Sequence, residues 1–160
     1  MNESALILKF WKKEATATRK VISRIPEAKS DYRADPKARN AREIAWLIVT
    51  EEMLLGDGLH TGVMEWKEIP TPATVKEILD TYDKHHDQVT SKLERLSPEQ
   101  WERHVPFMFN GQEVMKETGL ENAWGFLFDI IHHRGQLSTY LRPMGSTVPS
   151  IYGPSADERS

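Results

Sequence analysis

Phe128-Asp129-Ile130-Ile131-His132-His133-Arg134-Gly135-Gln136-Leu137-Ser138-Thr139-Tyr140-Leu141-Arg142 has the apolar period of a helix. Its inner stripe reads Phe126, Asp129, Ile130, His133, Leu137 and Tyr140 or Leu141. Asp129 and His133 stand one helical turn apart, which brings their side chains onto one face with Cβ atoms about 5–6 Å apart. Polar groups on an apolar face are costly unless partnered. Two arrangements supply the partner: a carboxylate that holds the imidazole by a hydrogen bond, or a pair of ligands to a divalent ion.

Three more segments upstream carry the same period. Ser4 to Ile25 steps through Leu6, Phe10, Ala17 and Val21, and Pro26 stops it. Asn40, with Glu43 three residues on, makes an N-cap with a capping box. The helix it opens turns Ile44, Leu47, Ile48, Glu51, Leu54 and Leu55 inward, and Gly56, Gly58 and Gly62 weaken and close its end. From Thr71–Thr74 to Leu96, the residues Val75, Leu79, Tyr82, His86, Val89, Leu93 and Leu96 alternate steps of four and three, as in a bundle helix. Ser97 and Pro98 open a short helical turn. Pro106 to Gly111 reads as a loop or short extended piece, and no sustained alternation marks a strand. The expected fold is all-α, an antiparallel four-helix bundle in a single domain over residues 1–160 with 146–160 as a C-terminal tail.

Composition narrows the chemistry. The 160 residues carry a net charge of −3 and no cysteine. Disulfides, thiolate metal sites and cysteine nucleophiles are excluded together. No basic face for nucleic acid is expected. No stretch approaches the roughly 18 apolar residues of a membrane span, and the N-terminal apolar run, Ala5 to Leu8, is short for a signal peptide. The expectation is a cytoplasmic protein with no nucleic-acid or membrane partner.

His132-His133-Arg134-Gly135-Gln136-Leu137, then Tyr140-Leu141-Arg142, then Val148-Pro149-Ser150-Ile151-Tyr152-Gly153-Pro154 closely resembles the DinB-like (YfiT-like, damage-inducible) family of four-helix bundles. Asp31-Tyr32-Arg33-Ala34-Asp35-Pro36 and Ala41-Arg42-Glu43-Ile44-Ala45-Trp46 resemble the family's entry into its second helix, so the likeness covers nearly the whole chain. The resemblance implies a homodimer and a metal-dependent enzyme, either a hydrolase or a thiol-dependent transferase. It also implies a divalent metal, often nickel or zinc, held by three histidines, one on the second helix and two on the fourth. Those positions fall here on Leu47, Asp129 and His133. Leucine offers no ligand, so the site is degenerate and its ion is expected to be weakly held or absent.

Glu51, one turn beyond Leu47, and His86, on the inner stripe of the third helix, are the candidates to complete it. Glu51, Asp129 and His133 together would offer two oxygens and one nitrogen, a set suited to iron or manganese as much as to zinc or nickel. The alternative is a metal-free dimeric bundle that binds a small ligand or serves as an interaction module. His132, Arg134 and Gln136 lie off the inner stripe and are expected to tie down the tail, the loop at Asp31–Arg33 or a dimer partner. No catalytic residue and no organic cofactor are assigned from the sequence.

Overall fold

The computed structural model describes residues 2–159. Met1 and Ser160, the ends of the expected domain, lie outside the described residues. Four long helices form where the apolar periods place them: α1 Glu3–Ser23, α2 Ala41–Thr61, α3 Val75–Glu94 and, after a short α4 Pro98–Glu102, α5 Gly119–Leu141. Their starts are locally encoded. Asn40 with Glu43, Thr74 with Glu77, Ser97 with Gln100 and Thr118 with Glu121 each close a reciprocal capping box. α2 ends at Gly62, whose φ of 96° is the left-handed geometry that glycine adopts without strain.

α2 packs against both α3 and α5, and α1 packs against the same two helices. Every residue of α2 from Ile44 to Glu52 is buried. The core runs from Ile7 and Trp11 through Ile44, Ile48 and Leu55 to Ile78, Leu93, Ile130 and Leu137.

The all-α expectation requires a correction. A three-stranded sheet of order β1-β2-β3 is present: β1 Met64–Glu65, β2 His104–Phe109 and β3 Gln112–Thr118. β1 pairs parallel to β2, with Met64 opposite Phe107; β2 pairs antiparallel to β3, with Phe109 opposite Gln112. Asn110 (φ 50°) and Gly111 (φ 74°) form the two-residue turn, the left-handed pair that hairpins of this length demand. The molecule is mostly helical with a small sheet. β3 is exposed from Gln112 to Lys116, so burial imposed no alternating hydropathy on it.

Two helix faces also differ from the sequence reading. In α1 the buried residues are Ile7, Trp11, Glu14, Thr18, Val21 and Ile22, while Leu6 is exposed. In α5 the buried stripe is Ala123, Leu127, Ile130, Arg134, Leu137 and Leu141, again in steps of four and three. Asp129 is therefore not an inner residue; its side chain is 55% exposed. The stripe passes through Arg134 because its guanidinium, 2% exposed, is matched by buried partners. It meets Oε2 of Glu14 at 2.8 Å and donates to the carbonyl of Glu14 and to the hydroxyl of Tyr152, which itself donates to Glu14. Arg134 thus ties the C-terminal tail to α1. The tail is fastened again where Glu158 pairs with Lys20 and Arg24, and Asp157 with Arg142.

Candidate metal centre

The centre lies between α2 and α5. Oε1 of Glu51 and Oδ1 of Asp129 are each 3.5 Å from Nε2 of His133. One ligand atom from each residue lies within 4.8 Å of the others, close enough to share one ion. Among the described residues this is the only such grouping of His, Asp and Glu side chains. On the far side of the ring, Nδ1 of His133 lies 3.5 Å from Oε1 of Gln136. With the proton on Nδ1, that contact leaves the Nε2 lone pair facing the two carboxylates.

Glu51 is the unusual member. It is 5% exposed, and its Oε2 is buried with no hydrogen-bond partner. Burial pushes its carboxyl above the ordinary value, while the imidazole of His133 pulls the other way. His133 in turn is raised above the usual histidine value, first by its hydrogen bond to Glu51. Asp129 is solvated on one side, and there it borders a cavity of about 610 Å³ between α5 and the β2–β3 hairpin.

The remaining candidates lie elsewhere. Leu47 lines a different cavity, of about 570 Å³, with Trp46, Thr50, Trp66 and Phe109. His86 belongs to a separate cluster. Its Nδ1 is 2.9 Å from Oε2 of Glu52, and its ring stacks between Trp11 and Tyr82. Burial raises Glu52 as it does Glu51. Glu52 was not legible as a site residue, although two adjacent carboxylates on an apolar helix are a signal: successive residues point about 100° apart, so they face different neighbours. Here Glu51 faces α5 and Glu52 faces α3.

Residues 1–159 match the DinB family. The chain belongs to the DinB family. Uncharacterized protein YrdA of Bacillus subtilis (strain 168) is 27% identical to this DinB chain over 157 residues, 94% of the chain and 89% of that protein. Two crystal structures share the fold. The DinB-like protein YjoA of Bacillus subtilis has a TM-score of 0.72 at 23% identity, with 89% of this chain and 94% of that one covered. A DinB-like protein from Bacillus cereus ATCC 10987 has a TM-score of 0.76 at 22% identity, with 91% and 95% covered. Among the described residues, no helix is long and apolar enough to cross a membrane.

Proposed function

We propose that this DinB chain is a single-domain, metal-dependent enzyme in which Glu51, Asp129 and His133 hold a divalent ion. The orphaned Oε2 of Glu51 carries the reading. A buried carboxylate oxygen without a partner costs about 1–3 kcal/mol or more, and a cation is the partner that this donor set is built to accept. Three protein ligands are the number that a catalytic site uses while keeping a position open. Two oxygens and one imidazole favour manganese or iron(II) more than a three-histidine set does, with nickel and zinc still served by the nitrogen. Bound there, the ion would supply Lewis acidity and lower the pKa of a bound water or thiol.

The chain's own residues divide the remaining work. Glu51 anchors the site from the core, where packing leaves it no freedom. Gln136 sets the orientation of the His133 ring. Asp129 links the centre to the solvent side and to the neighbouring cavity, the side from which a substrate approaches. Hydrolysis and thiol transfer both fit such a site, and the family likeness supports either.

Self-association of the chain into a homodimer is part of the same proposal. Beyond the cavity, from Arg134 to Leu141, the exposed residues of α5 are Gly135 and Thr139, so this end of its outer face lacks the charges that normally keep a helix in water. Light scattering should report twice the chain mass of 18.4 kDa; a monomer at micromolar concentration would remove this part.

The test of the centre is calorimetric titration of the chelator-stripped protein with manganese, iron(II), nickel and zinc. Binding of one equivalent that His133→Ala abolishes is expected. Flat titrations with all four ions would sink the enzyme reading and leave a metal-free bundle with a small-ligand or partner role.

A further inference from the structure

We propose that the cavity between α5 and the β2–β3 hairpin is a binding site for a neutral aromatic molecule bearing a hydroxyl, a phenol in chemical class. Because the cavity borders Asp129, it would select the substrate of the centre; that second step rests on the metal-binding reading. The walls are Phe107 and Met115 from the hairpin and Phe126 and Phe128 from α5. Phe107 meets Phe126 edge to face at 6.3 Å, and Phe128 stacks on Trp124 at 5.7 Å. Phe128 nevertheless remains 61% exposed and Met115 38% exposed, apolar surface left in water on the walls of a concavity. The volume, about 610 Å³, falls in the range of small-molecule sites.

A polar group at the same cavity points to the hydroxyl. Asn122 lines it and is 1% exposed. Its Nδ2 donates to the carbonyls of Val105, Glu117 and Thr118. Those three acceptors fix which way the amide faces, because the reversed amide would set oxygen against three oxygens. Its Oδ1 is left buried with no partner. An acceptor of this kind calls for an O–H or N–H donor. The charges around the cavity disfavour an anion: Glu117 and Asp129 line it, His132 is the one basic side chain beside them, and no lysine or arginine lines it. An aromatic body, one O–H or N–H donor and no negative charge define the class, and a neutral phenol is the member proposed.

The probe is 2-naphthol, whose own fluorescence reports binding, titrated into the full chain with and without manganese. Saturable binding is expected, with 2-naphthoate, the anionic counterpart, at least tenfold weaker. Met115→Glu and Phe128→Asp change exposed positions and leave the core intact, and each should weaken 2-naphthol at least tenfold. Met115→Glu should leave the calorimetric manganese titration unchanged. If manganese fails to bind while the naphthol results hold, the cavity assignment stands and the metal reading falls. Absence of saturable binding, or wild-type affinity in both variants, overturns the cavity assignment. Conversion of a dimer to a monomer by Met115→Glu overturns it too, because a second copy would then be what covers these walls.

Discussion

Replacing Glu51 by leucine should make the protein more stable and a worse metal binder at the same time. Glu51 is 5% exposed, Oε2 has no partner and Oε1 lies 3.5 Å from the imidazole of His133. Leucine removes the unsatisfied acceptor, worth about 1–3 kcal/mol, and adds apolar burial. Against this stands the lost contact to His133. That ring, 14% exposed, keeps Asp129 3.5 Å from its Nε2 once Glu51 is gone, so it is not left without a partner. The net expectation is a gain of about 1–2 kcal/mol, or roughly 2–8 °C in Tm for a chain of this size. Metal binding moves the other way. A four-ligand zinc site is worth about 10–16 kcal/mol, so one ligand accounts for about 3 kcal/mol, close to a hundredfold in Kd. Thermal melts of the chelator-stripped proteins and calorimetric titration with manganese measure the two effects separately. A lower Tm for Glu51→Leu with unchanged manganese affinity would refute the reasoning and make Glu51 a structural partner of His133. The expected opposition of signs is the mark of a group kept for chemistry at the expense of stability.

Three further outcomes follow from the same structure. The raised values of Glu51 and His133 mean that, without metal, the stability they contribute is present at low pH and is lost as pH rises through their folded values. For His133 the loss begins above about pH 6.5, so Tm of the stripped protein should fall from there into the alkaline range, with a shallower fall in His133→Gln, while manganese binding strengthens over the same interval. Arg134→Met strands the carboxylate of Glu14, itself 6% exposed, and releases Tyr152; a loss of about 3–5 kcal/mol in urea unfolding is expected, with faster proteolysis of the tail. His86→Ala removes the imidazole partner of Glu52 and should cost about 1–3 kcal/mol, yet leave the manganese titration as in the wild type, because the two histidines belong to separate clusters.

The sequence by itself determined the four long helices and their starts. Period and capping are local: Asn40 needs only Glu43, and Thr74 only Glu77, to begin a turn. It also determined that Asp129 and His133 share a face, since that follows from helical spacing alone. The family was legible in the run from His132 to Arg142 and in the tail motif around Tyr152. Only the tertiary structure decided which face is inside. Arg134 reads as a tie to the tail, the Asp31–Arg33 loop or a dimer partner from off the inner stripe, and its burial appears only when Glu14, 120 residues earlier, and Tyr152, 18 residues later, are brought against it. Only the tertiary structure brought Glu51 against His133 and set Leu47 in another cavity. The hairpin belongs with these. Pro106 to Gly111 reads only as a loop or short extended piece, and β3 is held by backbone hydrogen bonds to β2 while its side chains from Gln112 to Lys116 are exposed, so hydropathy carried no record of it. Burial of charge and pairing of strands depend on partners distant in the chain, and a local pattern cannot name a distant partner.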